Sequence, residues 1–406
     1  MTAISGWAWL SSMRWLRVFR NRDGLVVFWQ NIFINLSTFI FATVLVRLFQ
    51  PAELSMANSV LGLFLVGNIA IAVIQITTTK LIIRHGSLPD ELWKTAVRLG
   101  WASSLVVIAL FPFWQLYLGW SLLMVLCIAP AIGLLFPLAV RRGALLGRKD
   151  YTGYAKSQLV DNVVRLLGLP LAVLFGPAGV AALISVSVLA ALLLTPHFAV
   201  VKQLTFRVRS LMTAGMSIVL FSITYTVDLI LVQYALPPVE AARYGVVNLV
   251  GKVPLALGAM VALYFLPIMI AYNEAGRPQA AWKAAAKALL IASGGLVVCI
   301  GFLALFGPIL VSIVFGTTYE VLGPQLALAV LPFGLLALSG VLLNYFVAVD
   351  NRLHTLPLVI FVVFQVTGLL VMHGSYRQVL SYLLVITLVL YVVYMVMFIS
   401  KKASKK

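Results

Sequence analysis

A few charged side chains interrupt the long apolar stretches of this sequence, and they are the residues that could act chemically. Asp161 and Arg165 lie in one such stretch, and Asp228 and Lys252 lie in two others. A charge at the centre of a lipid bilayer costs about 2.5–3.5 kcal/mol, so such groups usually face a protein interior or water and mark a path for ions or substrates. Asp161 and Arg165 are spaced to form an ion pair along one helix. Lys252 has no acidic residue one turn away, which makes it the leading candidate for binding an anion.

Amide and basic side chains extend this set along predicted helix faces. Tyr244, Asn248 and Lys252, for example, recur once per helical turn. We interpret such residues as candidates for lining a polar cavity, and hydrogen bonds between neighbouring helices are their alternative role. The candidate substrate-binding residues are Lys252, Arg165, Lys80, Arg47, Asn31, Asn35, Asn68, Gln75 and Asn248. The candidates for coupling transport to an ion are Asp228 and Asp161.

Catalytic constellations are absent from the sequence. The four histidines are scattered, and no metalloprotease, serine-hydrolase or P-loop pattern occurs. Cys127 and Cys299 both lie in apolar runs, so they provide neither a disulfide framework nor the spacing of metal ligands. We therefore predict a protein that is not an enzyme and has no cofactor or metal site, and any coupling ion is left unidentified.

The elements that must position these side chains are membrane-spanning helices. Apolar residues make up 63% of the 406 residues and charged residues 10%, whereas soluble domains have about 45–50% and about 25%. A helix needs about 20 apolar residues to cross the hydrocarbon core. The sequence predicts an all-α integral membrane protein with twelve transmembrane helices, over 24–48, 54–83, 95–113, 118–139, 157–175, 178–200, 209–234, 242–271, 284–305, 323–349, 355–373 and 379–399. The stretch 306–322 predicts a short interfacial or re-entrant turn.

The distribution of basic residues predicts the orientation in the membrane. Lys and Arg gather in the amino-terminal segment, in every second loop and in the carboxyl-terminal tail, whereas the opposite side carries only Arg47, Arg243 and Arg377. Loops rich in Lys and Arg stay in the cytoplasm, so both termini are predicted to be cytoplasmic. The same bias accounts for the net charge of +18, and nucleic acid is not a predicted partner.

An internal repeat predicts two lobes. Pro-x-Glu occurs at 51–53 and again at 238–240, and Trp-Lys-x-Ala follows each time, at Trp93 and Trp282. Six spans per half give both halves the same sense in the membrane, with a pseudo-twofold axis along the membrane normal and a cleft between them. A rigid scaffold is the alternative. The predicted ranges are 1–23 (amphipathic segment), 24–205 (N-lobe), 206–400 (C-lobe) and 401–406 (basic cytoplasmic tail).

Three segments of the sequence resemble a known family. They are Arg142–Tyr151 with the later Gln158, Asp228–Val232 followed by Pro238–Gly245, and Phe306–Leu310 followed by Phe315, Gly316 and Tyr319. These segments are similar to those after span 4, around span 7 and between spans 9 and 10 of polysaccharide-type (Wzx-like) flippases. That family belongs to the multidrug/oligosaccharidyl-lipid/polysaccharide exporter superfamily.

The resemblance implies a flippase of the bacterial plasma membrane with a cationic central cavity. Its implied cargo is an undecaprenyl-(pyro)phosphate-linked oligosaccharide, as in O-antigen or exopolysaccharide assembly. Membrane lipids, a polysaccharide polymerase and chain-length machinery are the implied partners. A cation-coupled small-molecule or multidrug antiporter of the same superfamily and a lipid II-type flippase are the alternatives, although the latter usually has two further spans.

Overall fold

The computed structural model of the chain describes residues 22–196, 198, 200–201, 217, 219–349, 351–372 and 374–403. The predicted amphipathic segment 1–23 lies outside these residues up to position 21, and the predicted tail 401–406 lies outside them from position 404. Almost all of the described backbone is helical. Two short strands, β1 (Leu88–Pro89) and β2 (Val200–Val201), pair in parallel.

The α-helices follow one another with short connections. In chain order they are α1 (Arg22–Leu48), α2 (Pro51–His85), α3 (Asp90–Ala109), α4 (Phe111–Leu118), α5 (Leu122–Gly147), α6 (Tyr151–Leu167), α7 (Leu169–Leu194), α8 (Asp228–Ala235), α9 (Pro238–Glu274), α10 (Pro278–Phe315), α11 (Leu326–Ala329), α12 (Leu331–Ala348), α13 (Thr355–Val371) and α14 (Tyr376–Ala403). Two 3₁₀ segments, Thr317–Gln325 and Arg352–His354, precede α11 and α13.

Many of these helices are long and apolar enough to cross a membrane. Within the described residues there are seven such helices, or eight if α3 and α4, which are bent by 51° at their junction, form one broken span. Shorter apolar helices cover Ile32–Leu48, Val219–Ala235 and Thr355–Val371. The chain is therefore a multi-pass membrane protein, and the number of twelve spans stays a prediction.

The chain divides into two compact units. The first contains the residues up to Ala42, Ala70–Pro112 and Ser121–Gly215, and the second contains Thr43–Ile69, Phe113–Trp120 and the residues from Met216 onward. The first half of α2 thus belongs to the second unit and its second half to the first. The lobes 24–205 and 206–400 remain a prediction from the repeat.

Small residues bring helices close together inside each unit. In the first unit, a Cβ added to Gly100 of α3 would lie 2.4 Å from the carbonyl oxygen of Gly133 in α5, and Ser104 donates a hydrogen bond to the carbonyl of Ala129 at 2.8 Å. In the second unit, a Cβ added to Gly258 of α9 would lie 2.7 Å from Cβ of Ala337 in α12. Small residues are the usual means of close helix packing in membranes, where apolar side chains gain little by leaving lipid.

Two predicted boundaries are wrong. The sequence predicts that the fourth span ends at 139, with Arg141 and Arg142 in a loop, but α5 continues to Gly147 and buries both arginines. The turn expected at 306–322 is instead helical up to Phe315, because a proline such as Pro308 is tolerated inside an apolar helix that neighbouring segments support. The chain then reverses at Gly316, whose φ of 87° favours glycine.

Candidate functional site

The first unit contains a buried group of charged side chains on three helices, which we call the Asp161 network. Its members are Arg142 of α5, Ser157, Asp161 and Arg165 of α6, and Ser187 of α7. Helix α6 can supply three of them because its polar residues recur on one face. Its first turn is fixed by Asp150, whose carboxylate accepts a hydrogen bond from the backbone N–H of Gly153 at 2.8 Å.

Asp161 is the centre of this network. Its Oδ1 lies 2.5 Å from Nη2 of Arg165 and accepts a hydrogen bond from the Ser187 hydroxyl at 2.9 Å, and its Oδ2 lies 3.6 Å from Nη2 of Arg142. Arg142 also donates to the hydroxyl and to the carbonyl of Ser157, both at 3.0 Å. The i, i+4 pair expected from the sequence is therefore present. The guanidinium of Arg165, one of the candidates for binding substrate, is thus paired with Asp161, and its role toward a substrate stays a prediction.

Sequence reasoning missed the roles of Arg141 and Arg142. The sequence predicts both in the loop after span 4, but they are 6% and 4% exposed. Arg141 donates to the carbonyl of Thr195 at 3.0 Å, and its guanidinium lies 5.4 Å from the ring centre of Trp93. The signal that could have located them is the apolar run Gly-Ala-Leu-Leu-Gly from 143 to 147, which continues the helix beyond the two arginines.

The second unit contains another buried carboxylate, at the start of α8. Oδ2 of Asp228 accepts hydrogen bonds from the Tyr244 hydroxyl and the Asn248 amide, both at 2.6 Å, and Oδ1 accepts from the backbone N–H of Leu229 at 3.0 Å. Asp228 is 1% exposed and Asn248 is 2% exposed. Lys252 follows one turn later on α9 and attracts the Asp228 carboxylate electrostatically. We call these four residues the Asp228 network.

The Asp228 network adjoins a break in the helix that precedes α8. The backbone at Thr224–Val227 forms turns instead of a regular α-helix, and the side chain of Gln365 in α13 donates to the carbonyl of Thr224 at 2.7 Å. The other end of the same amide, Oε1 of Gln365, is buried without a hydrogen-bond partner among the described residues. Sequence reasoning did not select Gln365, although it is an amide in an otherwise strongly apolar predicted span.

The remaining sequence candidates are dispersed over α1 and α2. Asn68 donates to the carbonyl of Phe64 on its own helix at 2.8 Å, and Gln75 donates to the Tyr154 hydroxyl at 3.4 Å. Arg47 is exposed and donates to the carbonyl of Val314 at 2.7 Å. Asn35 is exposed on α1. Asn31 lies in α1 and Lys80 in α2, and their side chains are outside the described part of the structure.

Neither network resembles a metal site. Among the described residues, no group of three or more His, Cys, Asp or Glu side chains could hold a metal ion. Both networks instead combine carboxylates with donors from arginine, serine, tyrosine, asparagine or lysine. Such groups can bind a charged partner inside the membrane through ion pairs and hydrogen bonds and release it again, without covalent chemistry.

Comparisons with known proteins identify the fold. No protein-family model and no curated protein sequence matches the chain. Among solved structures, an inward-facing multidrug resistance MATE family transporter of the MOP superfamily matches with a TM-score of 0.72 and 13% identity, over 93% of this chain and 96% of that chain. An outward-facing MATE family transporter of the same superfamily matches with a TM-score of 0.64 and 12% identity, over 95% of this chain and 97% of that chain.

A flippase has the same fold. The lipid II flippase MurJ, in an inward closed conformation, matches with a TM-score of 0.64 and 12% identity, over 95% of this chain and 93% of that chain. At these identities the likeness shows the fold alone. The chain thus has the fold shared by MOP-superfamily transporters, and the three proteins compared are transporters or flippases.

Proposed function

We propose, from the fold it shares with MOP-superfamily transporters, that this protein is a flippase for undecaprenyl-(pyro)phosphate-linked oligosaccharides in the bacterial plasma membrane. The observation that carries the proposal is the position of Lys252. It lies within α9, a 37-residue helix that is otherwise largely apolar, and its side chain is only partly buried. An ammonium group within a membrane-spanning helix needs water, a counter-ion or an anionic ligand.

The surroundings of Lys252 leave it available to a phosphate group. Asp228 already accepts hydrogen bonds from Tyr244, Asn248 and its neighbouring backbone N–H. Among the described residues, none of the ion pairs closer than 4 Å includes Lys252. Its three N–H donors therefore remain free to bind the phosphate oxygens of a lipid carrier, for which lysine is a common partner.

The proposal includes the architecture predicted from the sequence. Twelve spans form two lobes, 24–205 and 206–400, which rock alternately to admit the sugar head from the cytoplasmic side and release it outside. The lipid tail stays in the bilayer during this movement. Both termini are cytoplasmic, and a polysaccharide polymerase and chain-length machinery receive the product. Among the described residues, the seven long apolar helices, the bent pair α3–α4 and the three shorter apolar helices are the candidates for these spans.

Replacement of Lys252 tests the proposal. We expect Lys252→Ala to reduce glycan export about ten- to a hundred-fold, because one charge-assisted hydrogen bond contributes about 1.5–3 kcal/mol. Lys252→Arg should retain a substantial part of export. The measurement is surface glycan in cells that depend on this protein for its export, normalised to the amount of protein in the membrane.

The matched control is Lys287→Ala, which removes an exposed lysine of α10. Export by this variant should equal that of the wild type. If Lys252→Ala exports glycan as well as Lys287→Ala does, Lys252 does not bind the cargo and the proposal loses its main support.

A cation-coupled antiporter is the second candidate, and the Asp228 network favours it specifically. A carboxylate that is 1% exposed and close to a lysine can bind a proton or cation in one state and release it in another. In a flippase the same residue would couple glycan export to an ion gradient. Asp228 is therefore the coupling candidate under either function. The flippase and the antiporter differ in their cargo, which is a lipid-linked glycan in one and a small molecule in the other.

We expect Asp228→Asn to reduce glycan export about tenfold or more and to remove its dependence on an ion gradient, because the amide cannot change its charge. Tyr244→Phe, which removes one hydrogen bond and leaves the carboxylate in place, should have a smaller effect. Export is measured in vesicles with imposed proton or sodium gradients. Efflux of a cationic dye that the wild type drives and Asp228→Asn abolishes, without any glycan export by the wild type, would instead establish the antiporter.

A further inference from the structure

Helix α6 has two chemically different faces. Its exposed side chains, among them Lys156, Val163 and Leu167, lie on one side. Residues Tyr154, Gln158, Asp161 and Arg165 recur at intervals of three or four positions, which places them on the opposite side. At 17 residues, α6 is not among the apolar helices of the protein. Its polar face is therefore directed into the first unit.

Two amide side chains converge on one tyrosine at this face. Gln158 donates from Nε2 to the Tyr154 hydroxyl at 2.9 Å, and Gln75 of α2 donates to the same oxygen at 3.4 Å. All three side chains are partly buried. Gln158 directly follows Ser157 on α6, so this triad adjoins the Asp161 network. We call Gln75, Tyr154 and Gln158 the amide–tyrosine triad.

The triad has hydrogen-bonding capacity that the protein does not use. Each amide has an oxygen acceptor and a second N–H, and the Tyr154 hydroxyl, which accepts two bonds, still has its own proton to donate. Among the described residues none of these groups has a partner. The unpaired amide oxygens are not sealed inside the protein, since neither Gln75 nor Gln158 is among the buried polar side chains that lack a partner.

Helix packing does not account for the triad. Helices α5, α6 and α7 are already joined by the bonds of Arg142 and Ser187 to Asp161 and of Arg142 to Ser157. Gln75 contributes only one long hydrogen bond to the link between α2 and α6. This contact leaves most hydrogen-bonding groups of the triad without a partner, whereas polar side-chain atoms packed between helices usually have one.

We propose that the amide–tyrosine triad binds the hydroxyl groups of a glycan. This inference rests on the proposed function and adds the part of the cargo that the first unit recognises. Each sugar hydroxyl both donates and accepts, which matches the alternating amide oxygens, amide N–H groups and phenol proton of the triad. An apolar cargo would leave all of these groups unpaired, and a cationic cargo would leave their N–H and O–H groups unpaired. A phosphate group only accepts hydrogen bonds, so it would leave the amide oxygens of the triad unpaired.

The experiment compares two lipids that differ only in the sugar. The full-length protein is placed in nanodiscs, and its binding of undecaprenyl pyrophosphate carrying an oligosaccharide is measured against that of bare undecaprenyl pyrophosphate. The double variant Gln75→Leu/Gln158→Leu keeps similar side-chain bulk and removes the hydrogen bonds. We expect it to bind the glycosylated lipid at least about tenfold more weakly and the bare lipid as the wild type does. Tyr154→Phe should act in the same direction.

Two controls separate recognition from damage. Lys156→Ala, on the opposite face of α6, should leave the binding of both lipids unchanged. Lys252→Ala should weaken the binding of both lipids, because it acts on the phosphate group. A thermal unfolding scan establishes that the variants are folded.

The outcomes distinguish this inference from the proposed function. A wild-type protein that binds neither lipid overturns the proposed function and the glycan site with it. If the wild type binds the glycosylated lipid more tightly and the folded double variant does the same, only the glycan site is overturned. Equal losses for both lipids in the double variant also overturn it, since they show general damage instead of sugar recognition.

Discussion

A disulfide bond between cysteines introduced by Ser55→Cys and Gln233→Cys is expected to stop glycan export, and a reductant should restore it. The hydroxyl of Ser55 donates to the side chain of Gln233, so the side chains at the two positions lie in contact. In the proposed lobes, Ser55 belongs to 24–205 and Gln233 to 206–400. Alternating access requires the lobes to separate on each side in turn, and a covalent bond between them prevents one of the two states.

The packing around this pair supports the expectation. A Cβ added to Gly62 of α2 would lie 2.9 Å from Cγ1 of Ile230 in α8, and one added to Gly245 of α9 would lie 2.0 Å from Nδ2 of Asn58. The first half of α2 thus fits closely against α8 and α9 inside the second unit. These contacts would all have to open when the proposed lobes move apart.

The experiment is carried out in a protein in which Cys127 and Cys299, the two free cysteines, are replaced by serine. A matched control joins Ser104→Cys and Ala129→Cys within the predicted N-lobe, where the Ser104 hydroxyl contacts the backbone carbonyl of Ala129. This second disulfide should leave export near the wild-type rate. Export that continues with the 55–233 disulfide fully formed would contradict alternating access between these two parts of the chain.

The second large effect is expected for stability. Asp161→Ala should lower the free energy of unfolding by about 3–5 kcal/mol, because removing one partner of a buried ion pair leaves an uncompensated buried charge. Arg142 and Arg165 would both lose their only acidic partner in the described network. Asp161→Asn, which can still accept a bond from Ser187, should cost less.

Thermal and denaturant unfolding of the purified protein in detergent measures this effect. The control is Asp90→Ala, which removes a more exposed ion pair with Lys94 at the start of α3. Exposed ion pairs contribute little to stability, so this variant should unfold almost as the wild type does. If Asp161→Ala and Asp90→Ala were equally stable, the Asp161 network would not hold the first unit together.

The position of Lys252 was available from the sequence because it depends on one helix only. Tyr244, Asn248 and Lys252 share a face through the period of 3.6 residues, and the same rule paired Asp161 with Arg165. Composition and the length of the apolar runs likewise predicted a multi-pass helical membrane protein. These inferences need only local spacing and the energy of transferring side chains into lipid.

Contacts between helices could not be derived in the same way. Nothing in the spacing indicates that Tyr244 and Asn248 bind Asp228, or that Gln365 reaches the carbonyl of Thr224. Which helices are neighbours, and how far each is rotated, depends on packing between residues that are distant in the sequence. The pairing of Arg142 belongs to the same class, since the carboxylate that neutralises it, Asp161, lies on another helix.

The charged residues within the apolar runs therefore divide into two groups, those with an ion-pair partner and those without one among the described residues. The sequence by itself identified Lys252, Asp228 and Asp161 as costly groups in a membrane, because the penalty follows from residue type and surroundings along the chain. Only the tertiary structure decided that Arg142 joins Arg165 at Asp161, whereas none of the ion pairs among the described residues includes Lys252. The reason is that a charge is paired or left available by its neighbours in space, and those neighbours are set by the packing of the helices.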